Sequence, residues 1–533
     1  GVGAIGLAGR GFATTVTPAW SESLEKVDCK SCGQCIATCP AGALQARMKD
    51  ERVPAWRTEE QEVICPYCST GCRLTVSVAD GVVQRLHHKM SREGQAGQEV
   101  SVCTKGFTGF DLLTHGQRLR EPMIKEQGRW RVAGWDEATN AAAAGLQRAV
   151  GTRGGKGLAV LGSPRLTNEA HYLLQKIGRA ALGTNHLGGL GLDGGNDVLA
   201  RACGYNVSTA TREDIALSDL LLVVGFDPEA EYQAVAAMIR AAVLGGTKLH
   251  LYHGRGTALD KLATRTLRVA YPDSFVIFEE WLRDLLAQKR EDVPWVGSRV
   301  AGLEELKQAL FGPQGEKRAL APWLRPETRN RMRDEFFAAR NPLVVLDAAS
   351  IHPGELAALA DLLLLKGAVG RPGSGLLLLR PACNGQGALD AGLDRRWLPG
   401  YRPVAAASAR GSLEKLWGKP VPEWQGMATN GILQAAANGT LAGVLSWGDQ
   451  GLGTVPWPAS VFTVSGEWIV PASTHPAAVV FPAALFVEDE GSLTSWDRYV
   501  QQVSYHDRKI GLGMRPNWRI LSELAGALGL PKV

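Results

Sequence analysis

Cys65-Pro-Tyr-Cys68-Ser-Thr-Gly-Cys72-Arg-Leu-Thr-Val-Ser-Val78 is the stretch on which the reading of this chain turns. Three cysteines run straight into residues of alternating polarity, the mark of a half-buried strand. Ala79-Asp80-Gly81 then reads as a turn and Val82-Val-Gln-Arg-Leu86 as a second strand, so the cysteines open a β-hairpin. Cys103-Thr-Lys105-Gly106 adds a fourth thiol, thirty-one residues after Cys72. Four thiolates with one Cys-x2-Cys pair suit a metal. Zinc is one candidate, but the asymmetric spacing favours a [4Fe–4S] cluster.

A second run lies upstream: Cys29-x2-Cys32-x2-Cys35-x3-Cys39-Pro40, the spacing of bacterial ferredoxins. In two-cluster ferredoxins the fourth cysteine ligates the other cluster. On that pattern Cys29, Cys32 and Cys35 hold one cluster and Cys39 reaches another; the alternative places all four on one cluster. The first reading leaves ligands unaccounted for. Cys203 and Cys383 stand alone in the sequence, so the missing partners are expected upstream of Gly1, in keeping with the absent initial Met. Gly33 and Gly42 suit turns that aim backbone N–H groups at cluster sulfurs, and Pro40 stiffens the exit. Eight of the ten cysteines fall in these two runs, within the first 103 residues. Such clustering in a long chain argues for metal rather than disulfides.

At 533 residues the chain exceeds one core and predicts several domains. It is 45% hydrophobic and 21% charged, with a net charge of +5. That bias is too mild to imply nucleic acid, and no basic block carries interleaved aromatics. No apolar run is long enough to span a membrane, and no secretory signal opens the chain.

From about residue 113, apolar strand-like runs alternate with amphipathic stretches. Strands are expected at Gly157–Leu161, Leu220–Val224, Lys248–Tyr252, Pro342–Leu346, Leu441–Leu445 and Ala478–Pro482. Helices are expected at Thr167–Leu182, Glu229–Leu244 and Ser274–Leu286. This alternation predicts an α/β fold of doubly wound parallel sheets, preceded by a ferredoxin-like iron–sulfur segment and a small β-rich [4Fe–4S] domain. The expected divisions are residues 1–48, 49–112, 113–340 and 341–533, with the last two open to interleaving. Neither a dinucleotide glycine fingerprint nor a Walker A motif follows a strand. No serine-nucleophile pattern is present, and His253 and His475 read as structural histidines rather than catalytic ones.

The Cys-x2-Cys-x3-Cys run, the hairpin and the closing Cys-x-Lys-Gly resemble the cluster domain of the molybdopterin oxidoreductase superfamily. That superfamily includes formate dehydrogenase α subunits and the large iron–sulfur subunit of respiratory complex I. The resemblance continues through Leu161-Gly-Ser-Pro-Arg-Leu-Thr-Asn-Glu169 and Asp219-Leu-Leu-Leu-Val-Val-Gly-Phe-Asp-Pro228. It extends to Asn384-Gly-Gln-Gly-Ala-Leu-Asp-Ala-Gly392, Pro399-Gly-Tyr-Arg-Pro403 and the stretch from Thr474 to Arg498. It implies Cys65, Cys68, Cys72 and Cys103 as ligands of one cluster, and Lys105 between that cluster and a pterin in the molybdenum enzymes.

Three departures from the family pattern bear on function. No Cys or His stands at the molybdenum-ligand place in His186-Leu-Gly-Gly-Leu-Gly-Leu-Asp-Gly-Gly195 after the His that opens it; Cys203 falls late, and Asp193 is a weak substitute ligand. The family's Gly-Ser-Asn-Pro has become Gly225-Phe-Asp-Pro228, Asp-Pro-Arg-Arg-Thr has become His253-Gly-Arg-Gly-Thr257, and Gly-Thr-Asp has become Pro272-Asp-Ser274. Added carboxylates repel a phosphate-bearing cofactor. Finally, Trp518–Ala525 matches the helix before the family's cofactor-covering domain, and eight residues remain after it. Molybdopterin is therefore expected to be absent. The expected function is an iron–sulfur electron-transfer subunit of an NADH-quinone oxidoreductase. It resembles the large iron–sulfur subunit of complex I, of the formate-dehydrogenase-α-like type. The resemblance implies a flavin- and NADH-binding partner, quinone-module partners, and a cytoplasmic place on the inner face of the cell membrane. The complete first run fits less well with the ordinary complex I subunit. The alternative is the catalytic α subunit of a NAD-linked, molybdopterin-dependent formate dehydrogenase.

Overall fold

A computed structural model of the chain describes residues 2–46, 53–80, 82–87, 103–193, 198–313, 320, 324–448, 457–503 and 514–531. Gly1, Gly81, Gly194, Gly195 and Val533, which figure in the sequence reading, lie outside the described residues.

Two parallel-stranded sheets form the body. Strands Arg265–Leu267, Lys248–Tyr252, Leu220–Val224, Pro342–Asp347 and Gly375–Leu379 lie in that order, all parallel. Every residue of Leu220–Val224, Pro342–Asp347 and Gly375–Leu379 is buried, as befits strands covered on both faces. The other sheet runs Arg129–Val132, Met123–Glu126, Val479–Pro482, Phe462–Glu467, Gly443–Trp447, Leu158–Gly162, Leu187–Gly188. Its first two strands form an antiparallel hairpin joined antiparallel to Val479–Pro482; the remaining pairings are parallel. The α/β architecture of the sequence reading is thus present. Each sheet draws strands from widely separated parts of the chain, and the five-stranded sheet crosses residue 340.

The expected strands recur within two residues of their places. The helices differ more. Glu229–Leu244 is broken at Tyr232 into Pro228–Glu231 and Gln233–Leu244. Asp227 caps the first piece by accepting the Glu229 N–H, with Pro228 in the first turn. The helix opening at Asn168 runs to Lys176 and closes in a π turn over Ile177–Ala181.

The cysteine-rich part is smaller. Glu59–Ile64, Arg73–Ala79 and Val82–His87 form a three-stranded antiparallel sheet, so the expected hairpin gains a strand on its N-terminal side. Val63, Leu74, Val76, Val83 and Leu86 bury its inner face against Phe110, Leu113, Leu485 and Val487. Before this sheet lie a short hairpin, Gly6–Ala8 with Thr15–Thr17, and one helical turn at Gln34–Ala37. No helix among the described residues is long and apolar enough to cross a membrane.

Candidate metal centre

The loop from Cys65 to Cys72 joins two strands of the small sheet and is closed by Cys65 N–H donating to Cys72 O at 2.9 Å. Gly71 takes φ +70°, the left-handed conformation that lets the loop turn back into the strand at Arg73. Two segments from far along the chain grip the loop. Cys68 forms an isolated bridge with Pro381, and Ser69 Oγ donates to Arg380 O at 2.6 Å. On the other side Trp496 N–H donates to Ser69 O at 3.0 Å, and Gln501 Nε2 donates to Gly71 O at 3.0 Å. Arg380 and Pro381 directly follow strand Gly375–Leu379, so the loop docks at the carboxyl ends of the five-stranded sheet, where open α/β folds place their ligands.

Cys103 sits at the start of a five-residue helix, Thr104–Thr108. Thr104 N–H donates to Gln233 Oε1 at 3.3 Å, and Tyr67 OH donates to Gly109 O. Cys65, Cys68 and Cys72 are buried; Cys103 is half-buried. Burial pushes the Cys65 thiol well up, with Cys72, Cys68 and Cys103 adding repulsion. Burial likewise raises Cys72, with Cys68 and Cys103 again contributing. Cys65, Cys68, Cys72 and Cys103 thus lie near enough to act on one another's charge. Among the described residues no three His, Cys, Asp or Glu side chains converge closely enough for a lone metal ion.

Two cations oppose that repulsion. Lys105 favours the thiolate of Cys68 and donates from Nζ to Glu231 O at 3.1 Å. Arg212 favours the thiolate of Cys72. On the far side of Lys105, Tyr232 is 3% exposed and donates its OH to Asp347 Oδ1 at 2.7 Å. Phe226 packs edge-on to Tyr232, ring centroids 5.9 Å apart. Both rings share a hydrophobic cluster with Cys68 and Trp496. Burial raises the Glu231 carboxyl, and Asp347 and Asp227 raise it further.

In the first run, Gly33 and Gly42 take φ +73° and +63°, as their turns require. The Leu44 amide, joined by those of Ala43, Ala41 and Gly42, holds the Cys39 thiol below its usual range. Ser31 N–H donates to Cys29 Sγ at 3.4 Å. Cys32 is half-buried and Cys35 exposed.

Other sequence candidates lie in ordinary structural settings. His253 Nδ1 accepts the Arg255 N–H at 3.1 Å, and His475 Nδ1 accepts the Ala477 N–H at 3.3 Å, so each closes its own turn. Asp193 Oδ2 accepts the Thr429 N–H at 2.8 Å. Cys203 is exposed. Cys383, isolated in sequence, is brought beside Cys68; burial pushes its thiol up to about 12, so it stays protonated. The sequence reading left Cys383 isolated and placed Asp497 only within a longer family-like stretch, since no local pattern ties them or Arg212 to the cysteine loop.

Residues 59–115 match the molybdopterin oxidoreductase Fe4S4 domain, and residues 118–260 match molybdopterin oxidoreductase. Residues 59–260 thus carry molybdopterin oxidoreductase domains, the first of them a [4Fe–4S] domain, beside the parallel sheets that the cysteine loop docks on. Relatives of the chain include the NADPH-Fe(3+) oxidoreductase subunit alpha of Geobacter sulfurreducens, 27% identical over 99% of this chain and 62% of that one. An NADH-quinone oxidoreductase subunit of Rhizobium meliloti is 27% identical over 93% of this chain and 57% of that protein. Formate dehydrogenase H of Escherichia coli is 25% identical over 88% and 68%. The chain thus spans less than two thirds of the first two relatives. Among solved structures, acetylene hydratase from Pelobacter acetylenicus shares the fold, with a TM-score of 0.65 at 16% identity over 88% of this chain and 69% of that one.

Proposed function

We propose that the chain is an iron–sulfur electron-transfer subunit of an NADH:quinone oxidoreductase, similar to the large iron–sulfur subunit of complex I, with Cys65, Cys68, Cys72 and Cys103 as the ligands of one [4Fe–4S] cluster. The observation that carries this reading is the closed loop of buried Cys65, Cys68 and Cys72 docked at the carboxyl ends of the five-stranded sheet, in the stretch that matches an Fe4S4 domain. When bound, such a cluster takes up and releases single electrons. The protein's part is to exclude water with Val63, Leu74, Phe110 and Leu485, to fix the sulfurs, and to offset their charge. Cys29, Cys32 and Cys35 hold a second cluster, and Cys39 in its cradle of amides serves a third; residues 1–48 and 49–112 are the two cluster-bearing units.

In this reading the α/β body is a scaffold without molybdopterin. Tyr232 and Phe226 pack in one cluster with Cys68, and Asp227 and Asp347 act on the carboxyl of Glu231, whose backbone carbonyl holds Lys105. Those residues do not fit an anionic dinucleotide. The proposed partners are those the family resemblance implies, a flavin- and NADH-binding subunit and quinone-module subunits on the inner face of the cell membrane; the likeness to an NADH-quinone oxidoreductase subunit of Rhizobium meliloti supports a multisubunit setting.

The test is anaerobic purification with analysis of iron, sulfide, molybdenum and tungsten, and EPR after dithionite reduction. Iron and sulfide with a reduced-cluster signal that Cys72→Ser abolishes are the expected result. Stoichiometric molybdenum or tungsten would overturn the scaffold reading in favour of a formate dehydrogenase α subunit. Zinc without an EPR signal would overturn electron transfer altogether.

A further inference from the structure

Among the described residues 2–46, every position is exposed or half-buried except Gly33. What meets Gly33 is the ring of Phe107: a Cβ there would come 2.6 Å from both Cδ2 and Cε2 and 2.8 Å from Cγ. Gly33 shares a peptide bond with Cys32 and precedes Cys35 by two residues. Phe107 belongs to the second run. Its N–H donates to Cys103 O at 3.0 Å, one helical turn and about 6 Å along the axis from that cysteine. Its side chain packs on the apolar core that holds Cys65 and Cys72. A residue that only filled this core would turn its ring inward. This ring is half-buried and reaches a segment that is otherwise open to solvent.

An electron crosses a protein fastest through bonded or touching atoms, and slows steeply over gaps and long saturated chains. Two lines of contact join the cysteine runs. One leads from Lys30, beside Cys29, to Glu229 at 2.6 Å, along the backbone to Glu231 O, and on to Lys105 at 3.1 Å. It crosses two flexible four-carbon lysine stems. The other is one peptide bond, one ring contact and one backbone hydrogen bond, from Cys32 through Gly33 and Phe107 to Cys103. The second line is shorter, and its middle is a delocalised π-system.

We propose that the Phe107 ring is the contact through which electrons pass between the cluster at Cys29, Cys32 and Cys35 and the cluster at Cys65, Cys68, Cys72 and Cys103. This deepens the iron–sulfur reading and rests on it. One electron leaves the reduced cluster of one run and arrives on the oxidised cluster of the other; no bond forms or breaks and no proton moves.

The test delivers single electrons to the anaerobic whole chain from a photoreduced deazaflavin and follows both clusters by freeze-quench EPR. Loss in Cys32→Ser assigns the first signal, and loss in Cys72→Ser assigns the second. The first run, where Cys35 is exposed, is expected to be reduced first, and the signal then moves to the second run in a fast phase. Phe107→Leu fills the core without reaching Gly33. It is expected to keep its iron and the magnetic interaction between the clusters, and to lose the fast phase. Phe107→Tyr keeps the ring and is expected to restore it. A Phe107→Leu protein with full iron and the parent's fast phase would overturn the proposal. So would a fast phase lost only together with the magnetic interaction, which would make the ring a spacer. If Phe107→Leu loses iron, Phe107→Met, longer and more adaptable, decides on the same readings. A parent with one signal or none defeats the iron–sulfur reading of the two runs. A parent with both signals and no crossing instead overturns the role given to Phe107.

Discussion

Gly33 and Phe107 are in direct contact: a Cβ on Gly33 would come 2.6 Å from Phe107 Cδ2. Gly33 follows Cys32, and Phe107 stands four residues past Cys103, so this contact joins the two cysteine runs. Gly33 is also held at φ +73°, which costs a residue with a side chain roughly 1–2 kcal/mol. Gly33→Ala is therefore expected to loosen residues 2–46 from the helix at Thr104–Thr108 without unfolding the α/β body. The measurement is the magnetic interaction, by EPR, between the clusters proposed for the two runs, alongside tryptic cleavage before residue 46. Weaker coupling and faster cleavage are expected; parent-like behaviour in both would refute the contact.

Charge fixes the same segment from the other side. Lys30 Nζ lies 2.6 Å from Glu229, and Arg240 bridges Glu229 to Asp28 at 3.0 Å. Glu229 and Arg240 side chains are only 6% and 8% exposed, so removing the Glu229 carboxylate takes from Arg240 its buried partner and leaves it the more open Asp28. Asp28 and Lys30 are more open and contribute less. Glu229→Gln is expected to raise the cleavage rate of residues 2–46 at least about tenfold, by local opening rather than global unfolding. Glu22→Gln, at the exposed pair with Lys26, is the control and should change nothing measurable. Equal rates for both variants would show that the buried network does not hold the segment.

The strands were legible because burial on both faces writes itself locally, as in Leu220-Leu-Leu-Val-Val224, whose five residues are all buried. The cysteine loop was legible because iron–sulfur ligation is a short-range spacing rule, so Cys65, Cys68 and Cys72 declare themselves together. Glu59–Ile64 was missed because Glu-Glu-Gln-Glu reads as a solvated run, and its partner strand rather than its own propensity makes it a strand. Tyr232 broke an otherwise continuous helical pattern by taking φ −132°, a choice tied to its buried bond to Asp347. The clasp on the loop was beyond reach. Ser69 meets Arg380 at a separation of 311 residues and Gly71 meets Gln501 at 430, and no periodicity spans such distances.

His171 gives the fold a pH dependence whose sign can be worked out. Its ring is buried, with Nε2 2.8 Å from Ser163 O. Burial lowers its pKa from 6.5 to about 4. The unfolded chain therefore binds a proton at a pH where the folded chain does not. The associated stability is fully present above pH 6.5 and is lost as pH falls through 4. From about pH 7 to about pH 5 this group alone removes about 2 kcal/mol. His171→Gln keeps a donor for Ser163 O and cannot titrate. Urea midpoints of the variant are expected to change less between those two pH values than those of the parent; equal slopes would show that His171 is not held neutral.

Gly71 ties backbone strain to cluster retention. At φ +70° it occupies a conformation that costs a side-chain-bearing residue about 1–2 kcal/mol, and a Cβ there would run into the Gln501 side chain. The obstacle is the flexible end of a long side chain, so the collision can be relieved while the dihedral strain cannot. Gly71→Ala is expected to reduce bound iron, since the loop must shift between Ser69 and Cys72. Gly71→Ala/Gln501→Ala frees the Cβ and should recover part of the iron, but it also removes the donor to Gly71 O at 3.0 Å. Gly71→Asn, whose side chain tolerates the left-handed region better than alanine, separates the two effects. If strain dominates, it retains more iron than Gly71→Ala despite its larger side chain. If crowding dominates, it retains less, and iron per chain measured on the three variants decides which force shapes the loop.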